Sequence, residues 1–485
     1  MMLKERGSLR PELPAGCPAR GGEGLARGSF AKWRGPRIMR LMLFARTKPV
    51  WLFLLLFLVL AGCAQAETSP TRATSTPAAS VVPTGTATRA TALPSVTRPA
   101  ATPVPSATVV PFAPPDLRYL DAAFQEALEA FTAGSGTLAS YYVADLRSGQ
   151  TIAHNEGVAI SGMSMVKIPI LVEVYRRLDV APAAAETTLI TETATLSGNY
   201  TANLLLELIA ARPDPFAGAA ELTAALRRLG LYDTFIAVPY DLEPRAGYLP
   251  TYATLANQRE ISTNPDSSMQ TTTEDLGRLL TWIYRCTEGE GPLVETDPGA
   301  LTAAECREMV DVMAQNKIEA FIEAGVPAGV PVAHKHGWVA ETHGDAGIVL
   351  APEQPYVLVI ALHRPGWLEW AESTELIAGV SRLAYAHFTD PAAYAPARLA
   401  TPLPPLPPAT ATPALPQAVV VGTQGAGLTL RETPGGTEVL VLPEGMRLYL
   451  LQEEPVTAGE VIWRKVAAPD GSEGWVGEGF LEMED

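Results

Sequence analysis

Basic residues are in short supply in this sequence: 36 Lys and Arg stand against 52 Asp and Glu, a formal net charge of −16 over 485 residues. A nucleic-acid partner needs basic patches to neutralise phosphates, so this balance argues against one. Cysteine is scarcer, with four residues, and their spacing suggests no metal site. No metal or other cofactor is expected. A long apolar run is also missing near the N-terminus, where Val50 to Leu60 supplies only eleven residues. That is short of the roughly 20 needed for a transmembrane helix. Proline, by contrast, is plentiful. The 43 prolines concentrate in two tracts, leaving roughly 350 residues to build cores.

The N-terminal region has the layout of an export address. Arg40, Arg46 and Lys48 form a positive segment, and the apolar run after it has the length of a signal h-region. It ends in Leu60-Ala61-Gly62-Cys63, which resembles the lipobox of bacterial lipoproteins. That resemblance implies cleavage before Cys63, acylation of its thiol and an extracytoplasmic protein held to the membrane by lipid. The alternative is an ordinary secretory signal with a chance cysteine. Residues 1–38 are left unassigned and read as an over-extended start of translation. Residues 39–62 are the signal, and the Thr/Pro/Ser/Ala-rich residues 63–115 form an extended tether. A main domain is expected at 116–398, a Pro-rich linker at 399–417 and a small domain at 418–485. In an oxidising compartment Cys286 and Cys306 are expected to form a disulfide, worth about 3 kcal/mol. Two buried thiols are the alternative.

The main domain mixes two periodicities. Leu117 to Phe131 repeats apolar residues at three- and four-residue spacing, predicting an amphipathic helix. LASYYVADL and TIAHN flank a turn-forming Arg147-Ser148-Gly149-Gln150 and predict a hairpin. THGDAGIVLA and YVLVIALH predict a second strand pair, followed by a helix from about Trp367 to His387. Strands at both ends with helices between predict an α/β fold of the α+β type: an antiparallel sheet flanked by helices, plus a helical subdomain.

Three short motifs carry chemistry. Ser164-Met165-Val166-Lys167 opens an apolar helix, where residues three apart share a face and Lys167 can reach the Ser164 hydroxyl. A serine needs such a base to become a nucleophile, and a lysine becomes one when burial and nearby cations lower its pKa. Ser197-Gly198-Asn199 precedes a helix beginning NYTANLLLELI, and supplies a hydroxyl to relay a proton and an amide to orient a substrate. Lys335-His336-Gly337 offers a cation for a substrate carboxylate and a glycine that allows close backbone approach. None is specific alone: Ser29-Phe30-Ala31-Lys32 and Ser262-Thr263-Asn264 match the first two patterns.

In this order, with these flanks, the motifs resemble the penicillin-recognising serine hydrolases, most closely the class A β-lactamases. The resemblance covers about residues 116–390. It implies a serine hydrolase in which Ser164 forms an acyl-enzyme, Lys167 assists its activation, Ser197 protonates the leaving nitrogen and Asn199 orients the substrate. Lys335 would bind the substrate carboxylate beside His336 and Gly337. The backbone N–H groups of Ser164 and Trp338 would form the oxyanion hole. A β-lactam or a peptidoglycan-type amide is the implied substrate. A slowly deacylating penicillin-binding sensor, or a wall-peptide or ester hydrolase, is the alternative.

Departures from the family are visible. Gly198 replaces an Asp, and His336 replaces a Thr or Ser. Ser197 follows Ser164 by only 33 positions, which shortens the helical subdomain, whereas Leu231 to Gln270 is expanded. The deacylating glutamate of the family belongs to that stretch. Glu243, followed by Pro244, and Glu260, with Asn264 four residues on, are the two candidates.

The C-terminal residues 418–485 alternate short strands with turns at Pro434-Gly435-Gly436 and Asp470-Gly471, predicting a small all-β barrel. LTLRETPGG and the late Gly474-Trp475-Val476 resemble bacterial Src-homology-3-like domains. The likeness implies a cell-wall peptide as partner, with a ligand-free packing module as the alternative.

Overall fold

The computed structural model describes residues 116–178, 180–352, 354–390 and 415–484. The signal segment, Cys63, the tether and most of the Pro-rich linker lie outside the described residues. No helix among the described residues is long and apolar enough to cross a membrane.

The first third of the main domain holds α1 (Leu117–Thr132), β1 (Leu138–Asp145), β2 (Thr151–His154), β3 (Ile160–Ser161), α2 (Lys167–Arg177), α3 (Ala184–Thr195), α4 (Asn199–Ile209) and α5 (Pro215–Arg228). Next come β4 (Phe235–Ile236), β5 (Met269–Thr271), α6 (Thr273–Thr287), α7 (Pro292–Glu295), α8 (Ala303–Met313) and α9 (Phe321–Ala324). The end is β6 (Val332–Trp338), β7 (Thr342–Val349), β8 (Tyr356–His363) and α10 (Trp370–Thr389).

The five-stranded sheet has the order β2-β1-β8-β7-β6, antiparallel throughout. The β1–β2 hairpin and the β7–β8 pair stand where the sequence predicts them. Strands from the two ends of the domain meet at β1 and β8, where Tyr141 pairs with Ile360.

Alternation decides the layers. On β8, Leu358, Ile360 and Leu362 join α1 and α10 in one core, whereas Val357, Val359 and Ala361 join α2, α6 and α8 in the other. Both faces of β7 and β8 are covered, so every residue of both strands is buried. On α1 the side chains of Leu117, Leu120, Phe124, Leu128 and Phe131 point into the first core. Asp116 caps that helix by accepting from the Arg118 backbone N–H at 2.9 Å. Cys286 on α6 and Cys306 on α8 are joined by a disulfide, which ties two helices of the second core together.

The C-terminal region is a separate all-β unit of β9 (Gln417–Val420), β10 (Leu428–Arg431), β11 (Glu438–Leu442), β12 (Arg447–Leu450), β13 (Val456–Ala458), β14 (Val461–Ala467), β15 (Glu473–Gly477) and β16 (Leu481–Glu484). The closed barrel expected for it does not form. Its strands run in the order β11-β10-β15-β14-β12-β9-β16, with β13 on β14, and the two terminal strands do not pair. The free edge of β11 has another partner. Gln258 of the main domain donates its side-chain N–H to the Val441 carbonyl at 2.7 Å and accepts the Val441 N–H at 2.6 Å. A side-chain amide thus satisfies the backbone groups that barrel closure would have paired.

Candidate active site

Lys167 organises the site. It is fully buried at the first turn of α2, with the half-buried Ser164 in the turn that leads into that helix. Its Nζ donates to Ser164 Oγ at 2.9 Å, to the Ser197 carbonyl at 3.0 Å and to Asn199 Oδ1 at 2.7 Å, with Ser197 Oγ at 3.5 Å. The Tyr240 ring lies 4.1 Å below the same nitrogen. Burial lowers the Lys167 pKa, the Lys335 cation lowers it further, and Asp241 acts in the opposite sense, leaving it at about 7. A neutral amine is therefore accessible near neutral pH, which a base for Ser164 requires.

The local backbone delivers the second motif to this amine. Ser197 has φ of 58°, a left-handed turn that directs its carbonyl and hydroxyl towards Lys167 while Asn199 begins α4. Gly198 is the N-cap, and a Cβ there would stand 2.5 Å from the Thr201 hydroxyl oxygen. That hydroxyl donates to the Gly198 carbonyl at 3.2 Å and accepts from Thr193 at 2.9 Å. Glycine at this position thus accompanies a packed Thr pair.

The third motif reaches the site along β6, an edge strand of the sheet. A Cβ on Gly337 would lie 2.8 Å from the Ser164 backbone N and 3.1 Å from that of Met165. Only glycine lets the strand lie this close to the nucleophile. Lys335 is fully buried and donates to the His336 carbonyl at 3.1 Å. Burial lowers its pKa to about 8 against the pull of Asp345. His336 is pushed down to about 4 by burial and by the Lys335 cation, so its imidazole is neutral at pH 7 and offers hydrogen bonds without charge. The Asn316 amide nitrogen lies 3.5 Å from His336 Nδ1 and also donates to the His334 carbonyl at 3.2 Å.

A cleft of about 480 Å³ opens at Ser164, with Asn199, Tyr240, Asp241, Glu243 and Trp338 in its walls. Ser164, Lys167, Ser197, Asn199, Lys335 and Gly337 therefore converge from three separate stretches of chain. Of the two loop glutamates, Glu243 lines the cleft. Glu260 is exposed, next to the short 3-10 turn Ala256–Gln258 and away from the cleft walls.

The carboxylate in contact with the motif residues is one that sequence reasoning missed. Asp241 accepts from Asn199 Nδ2 at 3.0 Å and has φ of 56°. Asn203 holds the backbone just before it, donating to the Tyr240 carbonyl at 2.8 Å and accepting the Tyr240 N–H at 3.1 Å. The Tyr240 hydroxyl in turn donates to the Met163 carbonyl at 2.9 Å. Among the described residues no group of three or more His, Cys, Asp or Glu is placed to hold a metal ion.

Residues 182–388 match the model of the Beta-lactamase enzyme family. No curated protein sequence matches the chain. Solved structures similar to it include PBP-A, at 22% identity over 58% of this chain and 99% of that one, with a TM-score of 0.42. An ancestral class A β-lactamase (GNCA) is 23% identical over 55% of this chain and 100% of that one, with a TM-score of 0.41. A β-lactamase from Sphaerobacter thermophilus is 18% identical over 56% and 98%, with a TM-score of 0.41. The main domain has a mixed α/β, β-lactamase-like fold, with the all-β region separate from it.

Proposed function

We propose that this protein is a serine hydrolase that opens a β-lactam or a related cell-wall amide through an acyl-enzyme on Ser164. The observation that carries the reading is the 2.9 Å hydrogen bond between Ser164 Oγ and a buried Lys167 Nζ with a pKa near 7. Neutral Lys167 takes the Ser164 proton as Oγ attacks the substrate carbonyl. The resulting oxyanion lies between the backbone N–H groups of Ser164 and Trp338. The C–N bond then breaks, and Ser197 passes a proton to the leaving nitrogen while Lys335 holds the substrate carboxylate. For deacylation a carboxylate must activate water. Asp241, bonded to Asn199, is best placed, Glu243 shares the cleft, and Glu260 is the remoter choice. The export signal and Cys63 support an extracytoplasmic, lipid-anchored enzyme, whose C-terminal module would meet cell-wall peptide.

The test is intact mass of the protein followed after adding penicillin. A transient adduct, lost in Ser164→Ala, is expected. Asp241→Asn should prolong that adduct by about 10²-fold, the usual scale for a general base. An adduct that persists indefinitely on the unaltered protein would favour the sensor reading. No adduct at all would redirect the site to esters or wall peptides.

A further inference from the structure

The two faces of β6 meet different surroundings. Ala333 belongs to the core shared with α2, α6 and α8, and Lys335 and Gly337 follow it on that face, towards Ser164. Val332 belongs to the other core, and His334 and His336 follow it there. Their rings lie 6.5 Å apart, with Phe321 at 6.4 Å from His336. On this second face stands a buried ion pair that the acylation scheme leaves unused. Asp345 of β7 is directly opposite His336 in the register, and its two oxygens lie 3.0 and 2.9 Å from His334 Nδ1. Both side chains are wholly inaccessible to water.

The pair is fully engaged. His334 Nε2 faces the Asn316 carbonyl at 3.2 Å, so both ring nitrogens point at oxygen acceptors and both donate. The ring is therefore a cation beside a carboxylate. Asp345 also accepts the Ile322 N–H of α9 at 3.2 Å and the Ala346 N–H at 3.0 Å. Asn316 closes the cluster by donating its side-chain amide to the His334 carbonyl at 3.2 Å. The cluster thus ties β6 to β7, to α9 and to the segment after α8. Such support matters because β6 ends its sheet and has a strand neighbour on one side only.

A buried ion pair adds little stability over apolar side chains of the same size, so stability alone does not account for this one. Its chemical consequence lies across the sheet. Burial pushes the Lys335 ammonium down, and Asp345 opposes that fall. Lys167 on α2 and His336 on β6 are the other titratable groups that interact with Lys335. Burial would raise the Asp345 carboxyl, but the charge and hydrogen bond of His334 outweigh it, with help from His336 and the Ile322 N–H. The carboxyl is held below the usual range, and influence passes from His334 through Asp345 to Lys335.

We propose that Asp345 and His334 are positioning residues for the third motif: His334 keeps the Asp345 carboxylate ionised, and that carboxylate keeps Lys335 a cation and holds β6 in place beside Ser164. The proposal rests on the reading of Lys335 as the group that binds the substrate carboxylate. Under that reading, acylation by benzylpenicillin falls on the alkaline side as Lys335 loses its proton. Asp345→Asn keeps the shape of the side chain and removes its charge. The alkaline limb should then move about one pH unit towards acid, the scale for losing a nearby opposite charge. Asp345→Glu should return it towards its original position. His334→Gln should move the limb the same way as Asp345→Asn, because a buried carboxyl without its counter-charge takes up a proton. This variant carries the test if Asp345→Asn does not fold. Hydrolysis of 4-nitrophenyl acetate, which has no carboxylate, should show no such displacement. A pair that only supports the fold would lower both rates at every pH and leave the limb where it was, and that result would overturn the proposal.

A second arm needs no turnover. Carbon-13 NMR of the full chain labelled at lysine Cε, with the Lys335 signal assigned by its absence in Lys335→Arg, follows the same titration directly. The midpoint should fall in Asp345→Asn and in His334→Gln. If it falls while benzylpenicillin acylation shows no matching limb, the action of the pair on Lys335 stands and the carboxylate-binding role of Lys335 is refuted. An unmoved midpoint overturns the proposal whatever the kinetics show.

Discussion

Two lysines with lowered pKa values make opposite demands on pH. In the proposed mechanism Lys167 is a base only when neutral, so acylation should rise with pH through about 7. The carboxylate-binding role proposed for Lys335 needs the cation, so acylation of a carboxylate-bearing substrate should fall through about 8. The expected kcat/KM profile is a narrow bell between these limbs. Replacing Lys335 with Ala should abolish the alkaline limb and move the acid limb upward, because the cation that helps to depress Lys167 is gone. A pH series of kcat/KM on both proteins checks this, and an acid limb that stays put would contradict the coupling. The first-motif pair was legible from its spacing: the turn in which the Lys167 N–H donates to the Ser164 carbonyl brings Lys167 under the Ser164 hydroxyl, although α2 itself begins only at Lys167. Asp241 was not legible. It stands 42 positions after Asn199 in the chain, and only a left-handed turn, secured by Asn203 on the preceding residue, brings its carboxylate to that amide. An Asp in an expanded loop carries no periodic signal.

Edges and close approaches decide matters among the elements. The β6 strand serves the site because Gly337 lets it pack against the turn that holds Ser164. In Gly337→Ala the new Cβ would meet the backbone N of Ser164 and the Met163 Cβ, both at 2.8 Å, and backbone cannot swing aside as a long side chain can. The strand and the nucleophile must separate, and a shift approaching 1 Å at a reacting centre costs about 10²-fold. The acylation rate should fall by that order, with a smaller loss of stability of about 1–3 kcal/mol. Stopped-flow acylation alongside thermal melting separates the two, and a normal acylation rate would show that β6 does not position Ser164. Most elements of the main domain follow from periodicity, since β8 carries continuous apolar character and α1 a helical stripe. The barrel expectation failed for a different kind of reason. Short alternating strands specify a sheet, but closure depends on what the terminal strand edges meet. Here β11 meets Gln258, which lies 183 positions before Val441, a separation that no local pattern encodes.

At the scale of the whole molecule, that contact belongs to a larger seam between the C-terminal unit and the expanded loop of the main domain. Tyr232 and Leu255 of the main domain pack onto the apolar core of the β-unit around Leu442 and Met446. The Tyr232 hydroxyl accepts the Arg447 N–H at 3.0 Å. Arg227, almost wholly buried on α5, donates to the Glu444 carbonyl at 3.1 Å and to the Ala253 carbonyl at 3.0 Å, so one guanidinium binds both sides of the seam. The cleft wall at Tyr240 to Pro244 lies in the same stretch of chain. The C-terminal unit therefore braces the far end of the loop that carries Asp241 and Glu243, at Ala253, Leu255 and Gln258. Arg227→Met keeps the length of the side chain but leaves two carbonyls without their donor, at a cost of about 1–3 kcal/mol where they are buried. Hydrogen exchange on the full chain should then show residues 249–258 and 441–447 losing protection together, while β1, β7 and β8 keep theirs. Release of the loop should also slow deacylation more than acylation, because Asp241 moves with the loop whereas Lys167 and Ser164 sit on α2 and the turn before it. Loss of protection in the β-unit alone, with the loop unchanged, would mean that the seam does not carry order to the active site.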